Sequence, residues 1–367
     1  MLSVLIKPAS SLCNMRCTYC FYHNEAEHRD MAFTGIMSDE TVDNLIEKAF
    51  AASKDGVFFA FQGGEPTLAG LAFFQKFVRK VETVNVHNAP VVYTLQTNGL
   101  TMNSDWAIFL REHNFLVGLS CDGDAVVHNA LRKDAAGKGT FDRVVAAAKC
   151  MQKYGVEFNI LTVVTKQVAK KIKQVYDAFR KQGFRYMQFI PCIAPLGDEA
   201  YSAFVPSDEE YYQFLHRLFV VWHSDFERGK YTSIRYFDNL YHIYKGYGAE
   251  QCGMQGHCNI QFVIEGNGDV YPCDFYCLDE FLLGNINDSA FAELAASENA
   301  KSFVGVSYAQ SEKCKACAYA KYCCNGCRRY RENGEFRYCE ASRKFYAEFV
   351  AELPEIDRMI QSGFVKF

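Results

Sequence analysis

The chain has 367 residues, of which 49% are hydrophobic and 22% charged, and its formal net charge is -4. This length predicts two domains or one barrel with an appendage, and the composition excludes a disordered chain. A net charge of -4 provides no positive electrostatic field that would attract nucleic acid or an anionic membrane. Because no apolar run reaches the roughly 18 residues of a membrane span and no secretory signal is present, we expect a cytoplasmic protein without nucleic-acid or membrane partners.

Short apolar runs alternate with helical patterns from the N-terminus to about residue 192. One predicted helix begins at Thr140, as N-cap, and ends before Gly155, and another runs from about 168 to 182. Because parallel strands joined by helices bury both faces, six such units predict an α/β layer, either an open doubly wound sheet or a partial barrel. The six predicted strands are Ser3–Lys7, Val57–Phe61, Val91–Leu95, Leu116–Ser120, Val156–Val164 and Tyr186–Ile190.

The pattern of predicted secondary structure changes after about residue 235. Before that point, Ser207-Asp208-Glu209-Glu210 is a capping box whose helix runs to about Gly229 and closes a first domain. Beyond it come short elements, with a hairpin predicted at Gly266-Asn267-Gly268. We therefore divide the chain into domains 1–234 and 235–367, the second ending in a helix and suited to cross-linking by metal clusters.

Sixteen cysteines are the strongest signal in the chain, with three in Cys13–Cys20 and ten in Cys252–Cys339. Disulfides are disfavoured in a reducing cytosol, so metal ligation is the better interpretation. The first group has the spacing CxxxCxxC directly after the first strand, which suits an iron-sulfur cluster with one iron left open. A zinc site with a remote fourth ligand, or incidental buried cysteines, are the alternatives.

In its position after the first strand of a β/α repeat, this triplet resembles the radical S-adenosylmethionine (SAM) superfamily. Gln62-Gly63-Gly64-Glu65-Pro66 is similar to the family's GGEP motif. Three further segments are similar to the family's motifs around SAM: Gln96-Thr97-Asn98-Gly99, Ser120-Cys121-Asp122-Gly123 and His128-Asn129-Ala130-Leu131-Arg132. In the last of these, Asn129 stands where the family usually has Asp.

The resemblance implies a partial (β/α)6 barrel of the radical SAM type. It implies a [4Fe-4S] cluster that cleaves SAM to a 5'-deoxyadenosyl radical, held by Cys13, Cys17 and Cys20. The implied SAM contacts come from Gly63, Gly64, Glu65, Pro66, Gln96, Asn98, Ser120 and Arg132.

The C-terminal cysteines follow a second pattern. Cys258 is followed by nine residues, Gly268, four residues and Cys273, and Cys314-x2-Cys317-x5-Cys323-x3-Cys327 precedes Cys339. This resembles the SPASM extension of peptide-modifying radical SAM enzymes and implies two auxiliary [4Fe-4S] clusters, with structural zinc as the alternative. The implied ligands are Cys252, Cys258, Cys273 and Cys327 for one cluster and Cys314, Cys317, Cys323 and Cys339 for the other. The cysteines left over are Cys121, Cys150, Cys192, Cys277 and Cys324.

Longer stretches are similar to anaerobic sulfatase-maturating enzymes, namely Leu5–Ser11, Cys17–His23, Phe59–Gly70, Ser233–Asp238 and Tyr271–Tyr276. The resemblance implies oxidation of a Cys or Ser in a C/S-x-P-x-R motif of a nascent sulfatase to Cα-formylglycine. It implies Asp274 as the base and peptide contacts from Tyr22, Gln62 and Arg235. It also implies an unfolded sulfatase peptide and a flavodoxin- or ferredoxin-type reductant as partners, and we expect a monomer.

Three other functions stay open on sequence. A SPASM maturase that crosslinks or epimerises a ribosomally made peptide would share the scaffold, and Cys277 could then be a hydrogen donor or a ligand. Twelve residues precede Cys13, so we expect no leader-recognition domain of the kind many such maturases carry. A non-catalytic iron-sulfur carrier or sensor would not cleave SAM, and a zinc-stabilised adaptor would be colourless.

Overall fold

A computed structural model of the chain describes residues 1–197 and 203–365. Its strands are β1 (Leu2–Ile6), β2 (Val57–Phe61), β3 (Val91–Thr97), β4 (Leu116–Ser120), β5 (Phe158–Val164), β6 (Tyr186–Pro191), β7 (Ser233–Ile234), β8 (Val263–Ile264), β9 (Asp269–Tyr271), β10 (Gly284–Asn285), β11 (Arg331–Glu332) and β12 (Glu335–Phe336). Its α-helices are α1 (Phe21–Glu27), α2 (Asp39–Ala52), α3 (Leu71–Val84), α4 (Ser104–Glu112), α5 (Ala125–Leu131), α6 (Phe141–Tyr154), α7 (Lys166–Lys170), α8 (Ile172–Lys181), α9 (Asp208–Phe226), α10 (Arg235–Tyr244), α11 (Phe291–Ala296), α12 (Glu298–Ser307), α13 (Glu312–Lys315), α14 (Ala320–Cys323) and α15 (Cys339–Gln361). All six predicted β/α strands are present, and β2 and β4 have the predicted bounds.

The chain divides into two compact units, and each unit takes up several separate segments. The first unit comprises residues 1–120, 132–158 and 259–305, and the second comprises residues 121–131, 159–258 and 306 to the C-terminus. This partition describes packing, and the functional division at residues 234 and 235 stays a prediction.

In the first unit the strand order is β10-β9-β8-β1-β2-β3-β4. Strands β1 to β4 are parallel, with Ile6 opposite Phe61 and Phe61 opposite Leu95. Phe59 and Phe61 are fully buried, and the Phe61 ring lies 4.9 Å from the ring of Phe74 on α3. Because burying each such ring stabilises the fold by about 1.5–3 kcal/mol, this core fixes the strands whose carboxyl ends carry the site loops.

The predicted hairpin forms and extends the same sheet. Strands β8 and β9 are antiparallel, and β8 runs parallel to β1 with Ile6 opposite Ile264. Gly268 in the turn has φ +91°, and a Cβ there would lie 2.5 Å from Asn287 Nδ2, so the turn requires glycine. Because β8 adds to the edge of β1, the residues that follow these two strands become neighbours.

In the second unit β5, β6 and β7 are parallel. The predicted capping box is confirmed, because Ser207 Oγ accepts from the Glu210 N–H at 3.2 Å and Glu210 Oε2 accepts from the Ser207 N–H at 3.0 Å. Helix α9 packs on α15, and the ring of Trp222 on α9 lies 5.3 Å from the ring of Phe237 on α10. None of the described helices is both long and apolar enough to cross a lipid bilayer.

One predicted helix is confirmed and the other is wrong. Helix α6 fills the predicted range, with Thr140 as its N-cap residue and its end at Gly155 with φ +69°. The Thr140 side chain makes no cap hydrogen bond, and its Oγ1 donates instead to the Arg132 carbonyl oxygen at 3.1 Å. The helix predicted over 168–182 is two helices, α7 and α8, because Lys171 between them leaves helical geometry with φ -109° and ψ 18°.

Candidate active site

The N-terminal cysteine triplet lies in the loop between β1 and α1, and Cys20 is the N-cap of α1. Cys13, Cys17 and Cys20 form no disulfide bond. Cys13 Sγ accepts hydrogen bonds from the Met15 N–H at 3.4 Å and from the Asn98 amide at 3.8 Å. Burial raises the pKa of Cys13 to about 11, so a bound cation is needed to hold its thiolate at neutral pH. Three cysteines within eight residues, with N–H donors to the Cys13 sulfur, fit an iron-sulfur cluster.

The glycine pair after β2 packs closely against this loop. Gly63 has φ +112°, and a Cβ on Gly64 would lie 2.2 Å from the Leu12 carbonyl oxygen. The same oxygen accepts from the Glu65 N–H at 2.7 Å, and Pro66 then begins a short 3-10 helix. Only glycine permits this approach of two backbone segments, so the motif holds the cysteine loop against the end of β2.

The Glu65 carboxylate is 1% exposed and ties the end of β2 to the end of β3. Its Oε1 accepts from the Thr67 hydroxyl at 2.6 Å and the Thr97 hydroxyl at 2.7 Å, and its Oε2 accepts from the Asn98 N–H at 2.7 Å. Burial raises the pKa of Glu65, and the hydrogen bonds from Asn98 and Thr67 oppose that shift. This internal role was not predicted; contact between Glu65 and the SAM ammonium stays a prediction.

Other residues predicted to contact SAM lie near the same strand ends. Gln96 Nε2 donates to Ser120 Oγ at 3.1 Å, so the side chains at the ends of β3 and β4 face each other. Arg132 is 6% exposed, and its guanidinium lies 5.4 Å from the centroid of the Tyr19 ring, beside the cysteine triplet. These positions suit the predicted contacts, which stay predictions.

Asp274 follows Cys273 after β9 and is 8% exposed. The Tyr22 hydroxyl donates to Asp274 Oδ2 at 2.6 Å, and Gln62 Oε1 lies 3.4 Å from the same hydroxyl. Asp274 Oδ1 is buried and accepts no hydrogen bond from the described residues, although the Lys7 ammonium lies 3.5 Å away. A buried carboxylate oxygen left with free lone pairs is suited to accept a proton from a bound ligand.

Lys7 is the buried cation of this site, and sequence reasoning missed it. It is 2% exposed, and its ammonium lies 3.3 Å from Glu25 Oε2, 3.5 Å from Glu265 Oε1 and 3.5 Å from Asp274 Oδ1. It also donates to Cys277 Sγ at 3.0 Å. Burial lowers the pKa of Lys7, but Cys277 and the three carboxyl groups outweigh burial and raise it, so Lys7 stays charged. Its place at the end of an apolar strand was the one available signal.

Arg29 is a second cation of the same cluster and donates to Glu265 Oε1 at 2.7 Å. Burial alone would raise the pKa of Glu265, but Lys7 and Arg29 lower it below its usual value, so Glu265 is ionised. Burial raises the pKa of Glu25 and of Asp274. The cluster thus contains two cations, Lys7 and Arg29, and three carboxyl groups, those of Glu25, Glu265 and Asp274.

Arg235 and one predicted ligand set lie in the second unit. Arg235 begins α10 and donates to Gln188 Oε1 at 3.2 Å, and its contact with a peptide stays a prediction. A cavity of about 380 Å³ gathers the four cysteines of one predicted set, together with the leftover Cys324. The Tyr319 N–H donates to Cys317 Sγ at 3.4 Å. The predicted ligands that line this cavity are Cys314, Cys317, Cys323 and Cys339.

Three cysteines of the other predicted set also lie together in the second unit. Burial raises the pKa of Cys327 to about 11, and the neighbouring Cys252 and Cys258 add to that shift. A Cβ on Gly253 would lie 3.3 Å from Cys327 Cβ. Cys273 belongs to the first unit, so this four-cysteine set stays a prediction. Within the described residues, no group of three or more His, Cys, Asp or Glu side chains is placed to hold a single metal ion.

Comparison with known proteins identifies the families of two regions of the chain, one with the N-terminal cysteine triplet and one with C-terminal cysteines. Residues 8–179 match the radical SAM superfamily, and residues 252–318 match an iron-sulfur cluster-binding domain. The chain is 42% identical over 366 residues to a cysteine-type anaerobic sulfatase-maturating enzyme of Clostridium novyi (strain NT), which covers 98% of each chain. It is 31% identical to a serine-type anaerobic sulfatase-maturating enzyme of Bacteroides thetaiotaomicron, over 89% of this chain and 82% of that one.

A solved structure of native anSMEcpe with bound AdoMet and Kp18Cys peptide aligns with a TM-score of 0.92 and 42% identity, over 97% of this chain and 98% of that chain. These similarities confirm the predicted fold class, a radical SAM α/β domain followed by a SPASM domain. They also decide against the zinc-stabilised adaptor and the non-catalytic carrier. The chain is a radical SAM enzyme and belongs to the family of anaerobic sulfatase-maturating enzymes.

Proposed function

We propose that this protein oxidises a Cys or Ser within a C/S-x-P-x-R motif of an unfolded or nascent sulfatase to Cα-formylglycine, with Cys preferred. The higher identity to a cysteine-type relative (42%) than to a serine-type relative (31%) supports that preference. Loss of one Cβ hydrogen atom, the thiol proton and one electron turns cysteine into a thioaldehyde. Water then converts the thioaldehyde to formylglycine and hydrogen sulfide.

Three [4Fe-4S] clusters and SAM supply, when bound, the one-electron transfer and hydrogen-atom abstraction that this oxidation needs. The cluster residues would be Cys13, Cys17 and Cys20 for the SAM cluster, Cys252, Cys258, Cys273 and Cys327 for one auxiliary cluster, and Cys314, Cys317, Cys323 and Cys339 for the other. The SAM residues would be Gly63, Gly64, Glu65, Pro66, Gln96, Asn98, Ser120 and Arg132.

Asp274 is the base that takes the thiol proton, and its buried Oδ1 is the observation that carries the proposal. The Tyr22 hydroxyl donates to Oδ2, which leaves Oδ1 as the oxygen that can accept the proton. Burial raises the pKa of Asp274, and the Lys7 ammonium, 3.5 Å from Oδ1, opposes that rise. Because Asp274 directly follows the predicted cluster ligand Cys273, proton and electron acceptors lie together in the chain.

The remaining assignments follow from the same proposal. Residues 1–234 form the radical SAM core and residues 235–367 the auxiliary-cluster extension, as the matches at 8–179 and 252–318 support. Tyr22, Gln62 and Arg235 contact the peptide. The enzyme acts in the cytoplasm as a monomer, takes electrons from a flavodoxin- or ferredoxin-type reductant, and binds neither nucleic acid nor membrane.

The test is anaerobic incubation of the reconstituted enzyme with SAM, a strong reductant and a C-x-P-x-R peptide, read by mass spectrometry with aldehyde trapping. We expect formylglycine from the wild type, and SAM cleavage without formylglycine from Asp274→Asn. Asp279→Asn changes an exposed carboxylate nearby in sequence and serves as the control. An unmodified peptide in the wild type, or full conversion by Asp274→Asn, would contradict the proposal.

A further inference from the structure

Helix α1 holds the segment that carries Asp274 at two points. Tyr22 and Glu25 are three residues apart and therefore lie on one face of α1. The Tyr22 hydroxyl donates to Asp274 Oδ2 at 2.6 Å, and Glu25 Oε1 accepts from the Cys277 N–H at 2.8 Å. Asp274 and Cys277 are also three residues apart. One face of α1 therefore makes hydrogen bonds to both ends of the four-residue segment 274–277.

The second Glu25 oxygen reaches the cation of the site. Glu25 Oε2 lies 3.3 Å from the Lys7 ammonium, which also lies 3.5 Å from Asp274 Oδ1 and donates to Cys277 Sγ at 3.0 Å. Because an ammonium can donate three protons, the Lys7 ammonium can bind Glu25 and Asp274 at the same time, and the two carboxyl groups share it. This sharing limits how tightly Lys7 can bind the oxygen that must stay free.

We propose that Glu25 is a positioning residue for the base Asp274, acting through the Cys277 amide and through Lys7; this rests on the proposed function of Asp274. Because α1 begins directly after Cys20, the same contact fixes the base relative to the cysteine triplet. Glu25 itself touches neither the substrate nor a cofactor in this assignment.

The burial of Glu25 argues against a role in stability alone. Glu25 is 3% exposed, and taking a carboxylate out of water costs several kcal/mol that its ion pair regains only in part. Removing one partner of a buried ion pair is destabilising, but without Glu25 the Lys7 ammonium still has Glu265 and Asp274 as partners, each 3.5 Å away. We therefore expect Glu25→Leu to lower the stability of the holoenzyme without unfolding it, to remove the acceptor of the Cys277 N–H, and to let Lys7 bind Asp274 more tightly.

The test compares Glu25→Leu and Glu25→Gln with Glu27→Gln, whose carboxylate is on the same helix but 59% exposed. In the reconstituted holoenzyme we expect Glu25→Leu to lower kcat by about tenfold or more while KM for the C-x-P-x-R peptide stays within about twofold. The ratio of 5'-deoxyadenosine to formylglycine should rise, because hydrogen abstraction continues when the base is misplaced. Glu27→Gln should match the wild type in all three quantities.

A second readout does not depend on turnover. Cys277 is fully buried and Cys121 is 1% exposed, so anaerobic alkylation of the holoenzyme by iodoacetamide, mapped by mass spectrometry, reports local opening at one and global unfolding at the other. Glu25→Leu should speed the labelling of Cys277 but not of Cys121. Glu25→Gln keeps an acceptor for the Cys277 N–H, so the rate of Cys277 labelling in this variant should stay near that of the wild type. The kcat of this variant should still fall, because a neutral amide replaces the carboxylate that binds Lys7.

Three outcomes would overturn the proposal: wild-type kcat in Glu25→Leu, faster Cys277 labelling without a fall in kcat, or equal losses in Glu27→Gln. If Glu25→Leu unfolds, which fast Cys121 labelling would show, the kcat of Glu25→Gln decides alone. If the wild type leaves the peptide unmodified, the proposed function fails, and Cys277 labelling still shows whether Glu25 holds the segment.

Discussion

The Lys7 ammonium lies 3.5 Å from Asp274 Oδ1, although most of the chain separates the two residues. They meet because β8 pairs in parallel with β1, so that Lys7 after β1 lies beside the hairpin that leads to Asp274. Lys7 thus follows the first strand of the sheet, and Asp274, the proposed base, lies in the cysteine-rich part of the chain. The positive charge that opposes the burial-driven rise in the pKa of Asp274 therefore depends on the pairing of β1 with β8.

Tyr22→Phe removes the donor to Asp274 and keeps the ring. A hydrogen bond to a charged group contributes about 1.5–3 kcal/mol, so we expect kcat for formylglycine to fall about ten- to a hundredfold while SAM cleavage continues. Single-turnover assays measure both products. Tyr247→Phe, at a side chain 69% exposed, is the control. Unchanged kcat in Tyr22→Phe would show that the hydroxyl does not orient the base.

Lys7→Met leaves buried carboxyl groups without their shared cation. Breaking a buried ion pair in this way costs about 3–5 kcal/mol, so for a chain of this length the thermal midpoint of the holoenzyme should fall by about 4–6 °C. Lys76→Met breaks the ion pair with Asp39, whose side chains are 57% and 74% exposed, and should shift the midpoint by less than about 2 °C. Scanning calorimetry under nitrogen compares the two, and equal shifts would contradict a buried role for Lys7.

Gly64→Ala places a Cβ 2.2 Å from the Leu12 carbonyl oxygen, a contact that side chains cannot make. The cysteine loop must move, so we expect fewer iron atoms per chain after reconstitution and loss of SAM cleavage. Gly248→Ala meets no atom within 4 Å and should behave as the wild type. Iron analysis and absorbance near the cluster band measure the effect. Full iron content and SAM cleavage in Gly64→Ala would refute the close packing.

The Asp238 carboxyl gives a pH-dependent contribution to stability in the second unit. Burial raises its pKa to about 6, and hydrogen bonds from Ser233 and Tyr231 only partly oppose that shift. Because the folded pKa exceeds the unfolded value, the protonated form stabilises the fold at low pH, and this contribution is lost as pH rises through about 6.

Relative to Asp238→Asn, the wild type should therefore lose on the order of 1–3 kcal/mol between pH 5 and pH 7.5. Chemical denaturation across that range, with both proteins reconstituted alike, measures the difference. A constant difference between the two proteins would show that Asp238 does not titrate there.

The parallel strands and the strand-end motifs were predictable because both leave local signals in the sequence. A five-residue apolar run such as Val57–Phe61, followed by Gly63-Gly64, needs no distant contact to be recognised. The helix break at Lys171 was missed because the side-chain pattern continues across it and only the backbone changes.

The charged cluster could not be predicted, because the burial of Lys7 and Glu25 depends on the pairing of β1 with β8 and on the packing of α1. A single lysine or glutamate reads as a solvated surface residue in a sequence. Asp274 was expected as the base through family resemblance alone. Its free Oδ1, which gives that role a physical reason, depends on the hydrogen bond from Tyr22 to the other oxygen.

The most direct test of the central claim uses a C-x-P-x-R peptide whose cysteine carries deuterium at Cβ, with the reconstituted enzyme, SAM and a reductant under anaerobic conditions. We predict that each formylglycine formed is matched by one deuterium atom in 5'-deoxyadenosine, and that Asp274→Asn forms almost no formylglycine. Cleavage of SAM with no deuterium in 5'-deoxyadenosine and an unmodified peptide would contradict the proposed oxidation of a sulfatase cysteine.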